Sequence, residues 1–189
     1  MPMPPILPTL DWKSIFESGK TYEEWIAAAG NPVNAAKIKE GVLAQGLAAP
    51  VDNLLRGLAR TVHVVAIAED WCGDVVRHVP VLERLARITP KIQTRYITRE
   101  QHKDVFVRFL TNGGEAVPKF IFLSDKFVEC GNWGPMTDVC RRIIARGKAC
   151  GDGGAARQKV SMMYDIDADK SEVVAELAAL INLAAAETP

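Results

Sequence analysis

The chain has 189 residues and no formal net charge at pH 7, because 23 Lys and Arg residues balance 23 Asp and Glu residues. This length suits one domain around one hydrophobic core. The charge balance excludes a global positive field that would recruit nucleic acid or an anionic membrane.

The first ten residues, MPMPPILPTL, contain four prolines and no basic residue. They lack the charged start and the apolar helical centre of a signal peptide. No stretch of the sequence approaches the roughly 18 apolar residues of a membrane helix. We therefore expect a cytoplasmic protein without a membrane or nucleic-acid partner.

Residues 1–58 are predicted to form an N-terminal helical extension packed on the core. Start signals for three helices lie at Thr21 with Glu24 (a capping box), at Asn31 with Pro32, and at Asp52. We expect the apolar faces of these helices to serve packing.

Residues 59–148 alternate between strand and helix patterns and form the predicted core. The predicted elements are a buried strand at 61–68, a helix at 74–86, a strand at 92–98, a helix at 100–114, strands at 119–123 and 126–131, and a helix at 136–147 that ends at Gly147. Ser124 and Asp125 are predicted to form a hairpin turn. This order predicts an α/β fold with a central mixed four-stranded sheet flanked by helices.

Residues 149–189 are predicted to add a loop and a C-terminal helix. The stretch at 148–160 is rich in glycine and polar residues, which favours an exposed loop. The last helix has Asp169 and Glu172 in capping-box spacing. We expect the three segments to form one structural domain.

The four cysteines include no C-x₂-C pair and no Cys/His pairing of zinc type. The sequence therefore predicts neither a disulfide scaffold nor a metal site, and we expect no cofactor. The histidines are scattered, which favours structural or surface roles.

Cys72 falls between the first predicted strand and the following helix. This is the edge of an α/β sheet at which functional sites are found. Backbone N–H groups and the helix dipole there stabilise a thiolate over a thiol. Gly73 leaves room for a partner backbone, and Trp71 offers a flat apolar wall. The alternative is a buried, inert cysteine.

The charges near Cys72 act in two directions. Glu69, Asp70 and Asp74 disfavour a thiolate by like charge, whereas Arg77, His78 and Lys119 offset this effect if their side chains reach the sulfur. Asp74 has two interpretations. It stabilises the helix dipole as a first-turn acid, or it donates and accepts a proton in catalysis.

The motif W-C-G-D, an apolar helix containing Pro80, and Pro118 in EAVPKFIFL resemble the thioredoxin superfamily, in particular a bacterial branch with a single active-site cysteine. The resemblance implies a thioredoxin-like fold and a cis Val117–Pro118 bond. It also implies a substrate groove formed by Trp71, Gly73, Val117, Pro118, Gly131 and Trp133.

The sequence departs from that family at two positions. Val75 stands where the resemblance places the resolving cysteine, and Ala66 stands where it places a buried carboxylate. Cys72 is therefore predicted to exchange disulfides alone. The second thiol would come from a small thiol, a partner protein or this chain, in which Cys130 is the first candidate and Cys150 the second. Cys140 is predicted to be buried in the core.

Three functions remain open at this point. The first is an atypical monothiol thiol–disulfide oxidoreductase that acts through Cys72, with Asp74, on a disulfide-containing protein or a low-molecular-weight thiol. The second is a non-catalytic peptide- or protein-binding module or redox sensor with a degenerate site. The third is an iron–sulfur centre shared between two protomers, as in single-cysteine glutaredoxins of C-G-x-S type, from which Asp74 and Val75 depart.

Overall fold

The structure is a computed structural model that describes residues 7–44 and 46–188. Its helices are α1 (Trp12–Ser18), α2 (Tyr22–Ala27), α3 (Pro32–Leu43), α4 (Ala49–Arg56), α5 (Gly73–Ala86), α6 (Lys103–Phe106), α7 (Asp138–Ala149), α8 (Gly153–Ile166) and α9 (Ser171–Ala184). The strands are β1 (Val62–Ile67), β2 (Ile92–Ile97), β3 (Lys119–Leu123) and β4 (Glu129–Trp133). The prediction on a signal peptide falls largely on residues 1–6, which lie outside the described residues.

The four strands form one mixed sheet in the order β2-β1-β3-β4. β1 runs parallel to β2 and antiparallel to β3, and β3 pairs antiparallel with β4. β1 and β3 are buried along their whole length, which explains their continuous apolar sequences. The predicted fold class, a mixed four-stranded sheet flanked by helices, is confirmed.

Polar side chains tie α5 to one face of the sheet. The Glu83 carboxylate accepts hydrogen bonds from Thr94 Oγ1 at 2.9 Å and from the Tyr96 hydroxyl at 2.7 Å. α9 packs beside α5, and its Glu176 accepts a hydrogen bond from Trp133 Nε1 of β4. On the other face, Phe16 of α1 packs edge-on against a histidine of β1.

The N-terminal helices follow their capping signals in two of three cases. The capping box of Thr21 and Glu24 is present, and the Asn31 side chain accepts from the Asn34 amide. The prediction that Asp52 caps α4 is wrong. Pro50 starts that helix earlier, and Asp52 lies inside it, bonded to Arg56 at 2.6 Å.

α3 extends the N-terminal segment to the outer surface of α5. A Cβ atom on Gly41 would lie 2.9 Å from Cβ of Pro80, so glycine is required for this approach of the two helices. α3 is thus packed directly on the helix that follows Cys72.

Two elements of the core differ from their predicted bounds. The helix predicted at 100–114 is shorter in the structure, where it consists of α6 and a 3₁₀ turn at Val107–Phe109. Asn112 and Gly113 instead adopt positive φ in a turn closed by paired hydrogen bonds between Thr111 and Gly114. β4 starts three residues later than predicted and continues to Trp133.

The segment predicted as an exposed loop, 148–160, contains the first part of α8. Asp152 caps this helix by accepting from the Ala155 amide at 3.0 Å. α7 also continues through Gly147, where a Cβ atom would lie 2.3 Å from Cβ of Ala156. Gly147 therefore permits close packing of α7 on α8 and does not end the helix.

The start of α9 also differs from the prediction. Lys170 precedes the helix in a left-handed conformation, and Asp167 accepts from the Ser171 amide at 2.8 Å. The predicted capping box of Asp169 and Glu172 is thus replaced by Asp167. In the described part of the chain, no helix combines the length and the apolar character needed to cross a membrane.

Candidate functional site

Cys72 is the last residue before α5, as the sequence predicts. Its carbonyl accepts the first helical hydrogen bond from Val76, at 3.0 Å, and its own N–H is bonded to the Glu69 carbonyl. The thiol is partly buried and donates to the Val117 carbonyl, with Sγ and O 3.4 Å apart. The sulfur therefore lies between the start of α5 and the residues that precede β3.

Pro118 lies at the same edge of the sheet as Cys72. The pairing of Ile67 with Lys119 places the start of β3 beside the end of β1. The Val117–Pro118 peptide bond is cis, as the resemblance implies. Sequence positions 72 and 118 are thus brought together at one site.

The segment Trp133-Gly134-Pro135 packs against Pro118 and Lys119 at this site. Gly134 has a φ of 115°, and a Cβ atom there would lie 2.1 Å from the Pro118 carbonyl oxygen. Only glycine fits both conditions. Lys119 Nζ donates to the Gly134 carbonyl at 2.6 Å, and burial lowers the pKa of this lysine to about 8.

These features coincide with a family match. Residues 23–151 match the sequence family described as thioredoxin. The chain belongs to the thioredoxin family.

Solved structures show the same fold at low sequence identity. A protein of unknown function from Pseudomonas aeruginosa aligns with a TM-score of 0.68 and 16% identity, covering 92% of this chain and 98% of that chain. An HIV epitope-scaffold aligns with a TM-score of 0.66 and 14% identity, covering 91% and 98%. No curated protein matches the sequence.

The side of the site that carries a second sulfur in thioredoxins is apolar in this family member. Val75 lies in the first turn of α5 and is fully buried, and Ala66 in β1 is also fully buried. Neither position offers a thiol or a base. Any proton chemistry on this side of α5 must come from other residues.

Asp74 lies in the first turn of α5 and is partly buried. Its Oδ1 accepts a long hydrogen bond, 3.4 Å, from the Tyr164 hydroxyl of α8. Burial raises the pKa of Asp74, while this hydrogen bond and the charge of Arg77 oppose the shift. The sequence did not indicate Tyr164 because a loop was predicted at 148–160, where α8 begins, and no helix was expected to bring position 164 to the site.

The remaining charges near Cys72 are engaged elsewhere. Asp70 accepts from the Asn31 amide at 2.7 Å, and Glu69 accepts from the Arg99 amide at 2.9 Å. The Arg77 guanidinium stacks over the Tyr164 ring at 4.1 Å. These carboxylates therefore anchor neighbouring segments, and the predicted offset by Arg77, His78 and Lys119 is not seen as a contact with the sulfur.

Trp71 and Gly73 are open to solvent. The Trp71 side chain is 57% exposed, and the Arg99 guanidinium lies 5.4 Å from its ring centroid. A Cβ atom on Gly73 would meet nothing within 4 Å. Both residues leave the approach to Cys72 accessible from outside.

Trp133 and Gly131 do not border an open groove. Trp133 is 2% exposed and stacks on Phe120. Gly131 lies under α9, because a Cβ atom there would be 2.9 Å from Leu180 Cδ2. The packing of α9 on β4 covers the part of the groove that the resemblance assigned to these two residues.

Cys130 lies at the wrong end of the sheet for a disulfide with Cys72. Phe122 pairs with Gly131 and Leu123 with Glu129, which leaves Cys130 as an extra residue in a bulge. That position is at least about 10 Å along the strands from the Cys72 edge. A disulfide needs Cα atoms within about 7 Å, so this prediction of an internal partner is wrong.

The other two cysteines differ in burial. Cys140 is buried on α7, as predicted, and burial raises the pKa of its thiol. Cys150 is exposed at the far end of α7. The described residues contain no group of three His, Cys, Asp or Glu side chains placed to hold a metal ion.

Proposed function

We propose that this protein is an atypical monothiol thiol–disulfide oxidoreductase that acts through Cys72. The observation that carries the proposal is the position of Cys72 Sγ, partly exposed at the start of α5 and 3.4 Å from the carbonyl that precedes the cis proline. Helix N-termini stabilise a thiolate, which is the attacking species in disulfide exchange.

The proposed reaction is exchange through a mixed disulfide. The Cys72 thiolate attacks one sulfur of a substrate disulfide, a new bond forms to Cys72, and the other half leaves as a thiolate. Asp74 exchanges protons with the departing and entering thiols. An external thiol then breaks the mixed disulfide, because Val75 supplies no second sulfur.

The test is the reduction of bis(2-hydroxyethyl) disulfide by glutathione in the presence of the protein. Cys72→Ser should lower the rate to that of the uncatalysed reaction, while the circular dichroism spectrum stays unchanged. Cys130→Ser is the matched control, since Cys130 is also partly buried but lies at the opposite end of the sheet, and it should keep the full rate. Equal rates in wild type and Cys72→Ser would refute the enzymatic proposal.

A second candidate function is a non-catalytic binding module or redox sensor. The exposed Trp71 beside Cys72 favours it, because exposed aromatic side chains are enriched at protein–protein contacts. In that case Cys72→Ser would retain binding of captured partners, and Trp71→Ala would weaken it. Loss of both disulfide exchange and partner binding in Cys72→Ser supports the oxidoreductase.

A further inference from the structure

A chain of polar side chains leads from Asp74 into the packing between α5 and α8. The Tyr164 hydroxyl of α8 lies 3.4 Å from Asp74 Oδ1 and 3.4 Å from Nε2 of His78. Asp74 and His78 are four residues apart on α5, so their side chains lie on the same face of that helix. One tyrosine hydroxyl therefore connects two successive turns of α5.

The ring of Tyr164 is held by two neighbours on α5. The Arg77 guanidinium lies 4.1 Å from the ring centroid, and the His78 ring packs edge-on with the centroids 5.5 Å apart. These contacts place the hydroxyl oxygen, but they do not direct its proton, because the O–H bond rotates. The direction of that proton depends on the groups that bond to the oxygen.

The donors and acceptors present determine how the protons are arranged. An ionised Asp74 only accepts, so the single hydroxyl proton of Tyr164 goes to Asp74. His78 can then bond the tyrosine oxygen only by donating a hydrogen from Nε2. His78 Nδ1 is buried without a hydrogen-bond partner among the described residues, and a buried N–H without an acceptor is costly. The tautomer with hydrogen on Nε2 and none on Nδ1 therefore fits this site.

His78 contributes a hydrogen bond and no charge. Its side chain is fully buried, and burial, followed by the charges of Arg77 and Lys170, lowers its pKa to about 3. The other titratable groups that interact with Asp74 in the described part of the chain are Arg77 and the Cys140 thiol of α7. Arg77 keeps its charge near neutral pH, and burial raises the pKa of Cys140, which keeps that thiol neutral.

We propose that His78 is a positioning residue that acts through Tyr164: its Nε2–H group holds the Tyr164 hydroxyl with the proton directed at Asp74. This inference rests on the proposed proton exchange by Asp74 during disulfide exchange at Cys72. A hydroxyl that itself accepts a hydrogen bond is a stronger donor. The chain therefore favours the ionised form of Asp74, which accepts the proton of an entering thiol.

Two substitutions at position 78 separate hydrogen bonding from packing. His78→Gln keeps an N–H donor close to the position of Nε2 but loses the ring, whereas His78→Phe keeps the ring contacts with Trp133 and Tyr164 but loses the donor. The measured quantity is the pKa of Asp74, followed through its carboxyl ¹³C signal. This pKa should rise by about 0.2–0.5 pH units in His78→Phe and keep its wild-type value in His78→Gln.

A double variant tests whether the effect of His78 passes through the tyrosine hydroxyl. Tyr164→Phe should raise the pKa of Asp74, and the addition of His78→Phe should raise it no further. His63→Phe is the matched control, since His63 is also buried but bonds the Ser124 carbonyl on the other face of the sheet. This control should leave the pKa of Asp74 unchanged.

The wild-type protein provides a test that needs no substitution. Ring ¹⁵N shifts distinguish a histidine nitrogen that carries hydrogen from one that does not. At pH 7 His78 should carry hydrogen on Nε2 and none on Nδ1. A hydrogen on Nδ1 would overturn the inference, because Nε2 would then compete with Asp74 for the Tyr164 proton.

The inference is also overturned by an unchanged pKa of Asp74 in His78→Phe, by a larger rise in His78→Gln than in His78→Phe, or by additive shifts in the double variant. The carboxyl titration needs no reaction at Cys72, so it decides the role of His78 even if the enzymatic proposal fails. In the active protein, the acidic limb of the exchange rate should move with the pKa of Asp74. A limb that stays in place while this pKa moves refutes the proton role of Asp74 and leaves the hydrogen-bonded chain intact.

Discussion

The side chain at position 75 is one helical turn from the sulfur of Cys72 and completely buried. A cysteine there is close to valine in size, so the core should accept it. Because the pair would have the spacing of a thioredoxin dithiol, we predict that Val75→Cys oxidises to an internal disulfide.

The measurement for Val75→Cys is the mass change and free-thiol count after mild oxidation. Val79→Cys is the matched control, since Val79 is equally buried one turn further along α5 and lies too far from Cys72 to be bridged. If Val75→Cys keeps both thiols free, the geometry at the start of α5 differs from that described.

Asp74 and Tyr164 connect the site to α8. If Asp74 transfers protons, Asp74→Asn should lower the exchange rate about 100-fold and remove the acidic limb of its pH profile. Tyr164→Phe keeps the ring under Arg77 but removes the hydrogen bond that lowers the pKa of Asp74. That limb should therefore move to higher pH, and an identical limb in Tyr164→Phe would contradict the proton role.

At the scale of elements, the contact between α7 and α8 depends on the absence of a side chain at position 147. Alanine is favoured over glycine in a helix by about 1 kcal/mol, yet its Cβ atom would lie 2.3 Å from Cβ of Ala156. Overpacking of this kind costs about 1–3 kcal/mol. We therefore predict that Gly147→Ala lowers the free energy of unfolding.

Urea unfolding checks this prediction. The double variant Gly147→Ala with Ala156→Gly should recover part of the loss, because it removes the other atom of the contact. A stabilised Gly147→Ala protein would show that α7 and α8 separate easily and that helix propensity decides the outcome.

Elements with local signals were predictable from the sequence. The capping box at Thr21, the buried strand β1 and the start of α5 at Cys72 each depend on neighbouring residues alone. α8 was missed because the glycines at its start suggest a loop, while the Asp152 cap that precedes them is a weaker pattern. Gly147 was wrongly predicted to end α7 because a glycine commonly follows the last residue of a helix.

Contacts between distant segments were not predictable. The position of Cys130 depends on a bulge in β4, and a one-residue shift in register is not visible in the strand pattern. Trp133 and Gly131 are covered because α9 returns to the sheet from more than 40 residues further along the chain. Sequence patterns locate Cys72 and Pro118 but not what covers the residues around them.

For the whole molecule, His78 links stability to pH. It is fully buried between Trp133 and Tyr164, and burial, followed by the charges of Arg77 and Lys170, lowers its pKa from 6.5 to about 3. Between these values the unfolded chain binds a proton that the folded chain does not. The free energy of unfolding should therefore fall as the pH falls from 6.5 towards 3, by up to about 1.4 kcal/mol per pH unit.

His78→Phe should remove this acid dependence while it preserves the ring contacts. Asp74 and Glu83 act in the opposite sense, because burial raises the pKa of each and stability from their retained protons is lost as the pH rises. Urea unfolding at several pH values from 4 to 7 measures the difference. The same slope in His78→Phe and wild type would assign the acid sensitivity to other groups.

Trp71 gives the molecule an optical label at the position where its chemistry is proposed. All four tryptophans of the chain lie in the described residues, and three of them are at most 8% exposed, whereas Trp71 is 57% exposed and adjoins Cys72. A water-soluble quencher therefore acts mainly on the emission of Trp71. Chemical changes at the Cys72 sulfur therefore become visible in the fluorescence of Trp71, without an attached dye.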